Sequence, residues 1–297
     1  MTRPVVLDMD HSVGPLAGRL VVPLEHWQET LRFGCSLAAL RRFSQGLDEV
    51  LPSTCGTVML GSGDFHHLSW PLIARVARTQ RRFQVVVLDN HPDNMRYAFG
   101  VHCGSWVRRV ALLPQVSHVH VLGISSTDID RRHAWANYLS PLRQGRVSYW
   151  SVGVDVGWAQ RAGLAHAMRG FDSADDLVAT FGEQQRTAPQ PTYLSIDKDV
   201  FAQDVARTNW DQGSLRLQHA VELIGSLRGG LVGSDITGEI SAYRYRSWWK
   251  RRLSAMDAQP TIDERELARW QGQQHVLNEH LLAAIDRCPG ASQKPGR

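Results

Sequence analysis

Short apolar runs alternate along the chain with longer stretches in which apolar residues recur every three or four positions. The short runs are read as strands at Arg3–Leu7, Thr57–Leu60, Gln84–Leu88, His118–Leu122, Val147–Trp150, Thr192–Ile196 and Gly230–Ser234. A further strand is read at Leu164–Met168. Runs such as Val85-Val86-Val87-Leu88 are apolar at every position rather than at every second one. A strand covered on both faces reads that way, as in parallel sheets flanked by helices.

The longer stretches predict helices at Glu29–Phe43, Pro71–Thr79, Ser214–Leu227 and Thr261–Ile285. Gly229-Gly230 is a stop signal for the third of these. Thr261 followed by Glu264 matches a capping box for the fourth, whose Leu267, Trp270, Leu277, Leu281 and Ile285 share an apolar face. The polar stretch Gly182–Pro191, ending in Pro-Gln-Pro, predicts a loop before a strand. This alternation predicts an α/β fold: a three-layer α/β/α sandwich on a mostly parallel sheet of about eight strands. Residues 1–288 are expected to form one domain and 289–297 a flexible polar tail.

Composition narrows the class. The 297 residues are 43% hydrophobic and 21% charged, the profile of an ordinary globular domain. No apolar run is long enough for a membrane span, and acidic residues in MTRPVVLDMDHS interrupt any signal-peptide core, so a cytoplasmic protein without a membrane partner is expected. The net charge of +4 is scattered apart from YRYRSWWKRRL at Tyr243–Leu253. One such stretch does not make a nucleic-acid surface; a lid or a subunit contact is the expected role, and with it a homo-oligomer. Cys35, Cys55, Cys103 and Cys288 stand far apart, which argues against a zinc knuckle or a disulfide framework.

In open parallel sheets ligands bind beyond the carboxyl ends of the strands. Three predicted strand ends carry metal-ligating side chains. VVVLDNHPDNM places Asp89, His91 and Asp93 directly after a strand. Carboxylates mixed with imidazole suit a first-row divalent ion better than Ca²⁺ or Mg²⁺; the alternative is an Asx-rich turn at Pro92. TYLSIDKDVF places Asp197 and Asp199 two residues apart, where their charges repel unless a cation lies between them. Lys198 then points to the opposite face, toward a carboxylate or solvent. MLGSGDFHHLSW sets His66 and His67 after a Gly-rich turn, with either one a candidate ligand. Together these positions exceed what one metal takes from protein, which points to a binuclear centre that activates water.

GSGDFHH, DNHPD and SIDKD, in that order, resemble the GGDH, DAHxD and SxDxD motifs of the ureohydrolase family, which includes arginase and agmatinase. The resemblance covers about Leu60 to Glu239. It implies an arginase-like fold, two Mn²⁺ ions per chain and hydrolysis of a guanidino C–N bond to urea and an amine. It implies metal ligation by His66, Asp89, His91, Asp93, Asp197 and Asp199, with Asp89 and Asp197 bridging and His67 as the alternative to His66. Asp199 is also expected to orient the attacking water. His102 in VHCGSW matches the family's proton-shuttling histidine, and Glu239 in LVGSDITGEIS its guanidinium-binding glutamate. Asp235 competes with Glu239, with the further option of supporting a ligand histidine. Asn94 and Asn209 are expected to contact a small cationic substrate, with TNWDQG (Thr208–Gly213) as a wall of the site.

The departures bear on the substrate. Glu239 is followed by Ile-Ser-Ala where the family has Asn-Pro in its usual Glu-x-Asn-Pro motif, and Asp199 leads into VFAQDVARTNWDQG instead of Asp-Pro and a Gly-rich run. No loop for the amino-acid part of arginine is recognisable. A second reading therefore keeps the metal site but lets it hydrolyse another linear amide or amidine in a specialised pathway. LDMDHS, with Asp8, Asp10 and His11, is read as a strand-end turn with a capping Asp, the alternative being that it lines the same cleft.

Overall fold

The computed structural model describes residues 3–248, 250–252 and 262–288. Its centre is a sheet of nine strands, every pairing of which is parallel. In chain order the strands of this sheet are β1 (Val5–Asp8), β2 (Leu20–Pro23), β4 (Val58–Met59), β5 (Phe83–Leu88), β7 (Val116–Ile124), β8 (Val147–Val152), β9 (Met168–Phe171), β10 (Thr192–Asp197) and β11 (Leu231–Thr237). Their order across the sheet is β2-β1-β4-β11-β10-β5-β7-β8-β9. A small antiparallel pair, β3 (Gly34–Cys35) with β6 (Val101–His102), sits apart. The chain builds outward from β5 to β9, then returns to insert β10 and β11 between β5 and β4.

The unbroken apolar runs follow from this placement. Val85 and Val87 of β5 join the core on one face of the sheet, with Val119 and Val121 of β7. Val86 and Leu88 join the other, with Leu122, Leu194 and Ile196. The first core is roofed by the helices Leu37–Val50, Ser69–Ala77 and Val107–Ala111; the second by Ala174–Thr187, Leu217–Ser226 and Glu264–Arg287.

Several expectations are corrected. The helix expected over Glu29–Phe43 is two: Gln28–Leu31, then Leu37–Val50 capped by Ser36. Between them Phe33 takes a left-handed φ of 68° and Gly34–Cys35 pairs with β6. The Gly182–Pro191 loop is largely helix, because Ala174–Thr187 continues past Gly182 from a Ser173 cap. The edge strand β2 went unread, and the Leu164–Met168 strand begins at Met168. The last helix starts at Glu264 with Asp263 as its cap, accepting from the Arg265 N–H at 2.9 Å. Thr261 and the 289–297 tail lie outside the described residues. No described helix is long and apolar enough to cross a membrane.

Candidate metal centre

Strand register brings the two acidic motifs together. Ile196 of β10 pairs with Leu88 of β5, so the next residues, Asp197 and Asp89, leave the sheet side by side. Each motif then turns on its own backbone. The His91 N–H donates to Asp89 Oδ1 at 2.7 Å, the Asp199 N–H to Asp197 Oδ1 at 3.1 Å, and the Asn90 N–H to Asp199 Oδ1 at 3.1 Å. Asp93 takes a left-handed φ of 46°, unusual for a non-glycine residue, so that its carboxylate folds back toward Asp89. The Trp106 indole N–H fixes it there, donating to Asp93 Oδ2 at 2.6 Å. Gly238, at a φ of 88°, is required behind the site, since a Cβ there would collide with Asp197 and the Lys198 backbone.

His66 comes in from the 3-10 turn Gly63–Leu68. Its Nδ1 lies 2.8 Å from Asp93 Oδ2, 3.1 Å from Asp89 Oδ2 and 3.4 Å from Asp197 Oδ2. Its other nitrogen meets Ser195 Oγ at 3.0 Å, and Ser195 donates to Asp235 at 2.7 Å. Asp235 also accepts from Tyr193 and Ser69, which leaves it a positioning group behind the histidine rather than a cavity group. His67 faces away, toward Cys35 Sγ at 3.9 Å. His91 Nδ1 lies 3.0 Å from Asp199 Oδ2, and its Nε2 meets Asp211 Oδ1 at 2.8 Å. Two triads result, His66–Asp89–Asp93 and Asp89–His91–Asp199, with Asp89 common to both.

The carboxylates crowd one another in a buried site. Burial, and then the charge of Asp89, pushes both Asp93 and Asp199 up to about 7. Burial and Asp199 raise Asp197 well above its usual value. Asp89 is also buried, but hydrogen bonds and charge from His66 and His91 hold it below the carboxylate range. One N–H on His66 cannot serve three carboxylates, and Asp89 Oδ2 is buried with no aligned donor of its own. Two divalent ions would satisfy this donor set of four carboxylates and two imidazoles, which is the chemistry that Mn²⁺ or Zn²⁺ accepts.

His66, His91, Asp93, Asp197 and Asp199 line a cavity of about 450 Å³ at the carboxyl ends of β10 and β5. Its opposite wall is largely aromatic: Phe33 stacks on His102 (centroids 6.0 Å apart) and on Trp210 (6.2 Å), with Tyr97 edge-on to His102 at 4.5 Å. Of TNWDQG, Trp210 and Asp211 line the cavity. Phe33, Met95, Tyr97 and Asp128 were missed, because nothing in their local sequence marks them as facing one point.

The structure does not bring the other expected residues to the cavity in their expected roles. Glu239 is 1% exposed and does not line the cavity; it binds Lys198 Nζ at 2.6 Å and the Asn278 side-chain amide at 2.6 Å. A buried ammonium holds it where a substrate cation was expected. Lys198 points away from the cavity, as its place between Asp197 and Asp199 required. Asn94 is buried, donating to Tyr138 O and Tyr149 Oη at 2.9 and 2.7 Å. Asn209 is tied to the Ser241 backbone in both directions at 2.9 Å. Both asparagines are loop braces. His102 does line the cavity, but its Nδ1 accepts from the Gly104 N–H at 3.0 Å, and burial lowers its pKa to about 4. The neutral ring then carries its proton on Nε2, which suits a hydrogen-bond donor better than a proton shuttle. Asp8 accepts from His11 in a strand-end turn, and Tyr243, Tyr245 and Lys250 donate to Glu29, Asp64 and the Glu29, Thr30 and Arg32 carbonyls.

Residues 17–242 match the arginase family, and the chain belongs to that family. An uncharacterised protein of Thermotoga maritima is 27% identical over 209 residues, 70% of this chain and 67% of its own. Among solved structures, the proclavaminate amidino hydrolase of Streptomyces clavuligerus matches with a TM-score of 0.54 at 16% identity, covering 98% of this chain and 93% of that one. The formiminoglutamase of Trypanosoma cruzi, solved with Mn²⁺, matches with a TM-score of 0.54 at 13% identity over 92% and 76%. At such identities the likeness speaks for the fold.

Proposed function

We propose that the protein is a hydrolase of linear C–N bonds that works with two Mn²⁺ ions and cleaves a guanidino compound to urea and an amine. The observation that carries this reading is the pair of His–Asp triads sharing Asp89. His66, Asp89, His91, Asp93, Asp197 and Asp199 would hold the ions, which when bound supply the Lewis acidity that makes water a nucleophile at neutral pH. Asp199, pinned by the Asn90 N–H, orients the attacking water. The water oxygen bonds to the amidine carbon, the C–N bond to the leaving nitrogen breaks, and both water protons end on that nitrogen, which departs as an ammonium ion. His102, with its proton on Nε2, donates a hydrogen bond to the leaving nitrogen as its lone pair develops.

Metal counting by plasma mass spectrometry with a urea assay on guanidino compounds tests this. Two manganese ions per chain and urea release are the expected result; failure to retain metal after dialysis against manganese buffer would sink it. A second reading, hydrolysis of another linear amidine or amide, is favoured by one observation: Lys198 already neutralises Glu239. Formamide or ammonia instead of urea would identify that case. A homo-oligomeric, cytoplasmic protein completes the proposal, and light scattering tests the oligomer.

A further inference from the structure

The aromatic wall and the charge of the cavity bear on what the site accepts. We propose that its substrate is carboxylate-free: an amidine or guanidine on an apolar, preferably flat stem, whose far end is neutral or cationic. This rests on the hydrolase reading above and narrows it.

Three observations carry it. First, no Lys or Arg lines the cavity among the described residues. A substrate carboxylate buried there would find no ion-pair partner, and an uncompensated buried charge is costly. The nearby cations are otherwise engaged, Lys198 with Glu239 and Arg32 with Asp64 at 2.7 Å. Second, the charge that remains is negative. Two divalent ions would balance the four carboxylates of the site, and Asp211 is held by His91, but Asp128 stands at the cavity wall, where its side chain accepts from the neutral Ser126 hydroxyl at 3.1 Å. A carboxylate would be repelled there and an ammonium or amidinium attracted. Third, Phe33, His102 and Trp210 are nearly parallel, with interplanar angles of 15° and 23° about Phe33. Flat aromatic faces reward a planar stem or a delocalised cation by stacking and cation–π attraction.

Matched pairs that differ only by a carboxylate test this on the manganese-loaded protein: agmatine against arginine, and benzylguanidine against 4-(guanidinomethyl)benzoate. Calorimetric binding and product release are both measured. The expected result is at least tenfold tighter binding, and higher kcat/KM where turnover occurs, for the carboxylate-free member of each pair. Asp128→Lys should shrink the preference to threefold or less while leaving the manganese content unchanged. Equal or tighter binding of the carboxylate-bearing members, or an Asp128→Lys variant with undiminished preference, overturns the inference. If the binding preference holds but no compound of either kind is hydrolysed, the hydrolase reading fails and the proposed binding preference stands.

Discussion

His66 aims one ring nitrogen at three carboxylates and rests the other on Ser195, which leans on Asp235. Groups that orient a metal ligand typically change metal affinity ten- to a hundredfold when removed. Ser195→Ala should therefore weaken Mn²⁺ binding about tenfold, read by competition with a chelator, while His67→Ala leaves it unchanged. The acids of the site also set a pH dependence with a definite sign. Asp93 and Asp199 have folded values near 7, above their unfolded values, so the stability they favour is present at low pH and fades as pH rises from about 4 through 7. His66 and His91, raised by their carboxylates against the pull of burial, act in the same direction at higher pH. Asp89, whose value is lowered, acts oppositely only in acid. The metal-free protein should thus lose melting temperature between pH 5 and 8. Manganese must displace those protons, so its stabilising effect should grow over the same range. Parallel calorimetric scans with and without Mn²⁺ check both slopes.

At the scale of elements, the turn after β10 and the middle of the Glu264–Arg287 helix are joined through one buried ion pair. Lys198 meets Glu239 after β11, and Asn278 of the helix donates to the same oxygen. Breaking a buried pair from one side leaves the other charge stranded, at a cost of about 3–5 kcal/mol. Lys198→Met should therefore lower stability by about that much, and the double variant with Glu239→Gln should recover part of it, as denaturant titration would show. Glu239→Gln is expected to change KM for a guanidino substrate less than threefold; a collapse of binding would return Glu239 to the substrate. Gly238→Ala should cost metal as well as stability, because its Cβ would press on Asp197. The helices were legible from their period, but the kink at Phe33 was not: Glu29–Phe43 reads as one amphipathic stretch until Gly34–Cys35 finds β6 as a partner.

At the scale of the whole molecule, the two cores hold the sheet from both sides and leave its carboxyl edge to the site. Leu281, fully buried in the second core, should cost about 2–5 kcal/mol as Leu281→Ala. Because Leu194 and Ile196 of β10, just before Asp197, belong to that core, the thermal loss should be partly offset by added Mn²⁺, which binds only the folded state. The parallel sheet and the strand ends that carry Asp89, His91, Asp93, Asp197 and Asp199 follow from local sequence, since burial on both faces writes continuous apolar runs and these motifs are short-range. Which histidine turns inward, that Glu239 is spent on Lys198, that Asn94 and Asn209 brace loops, and that Phe33, Tyr97, Trp210 and Asp128 share one wall depend on strand order and register. Those place residues distant in the chain against one another, and no local pattern encodes such contacts.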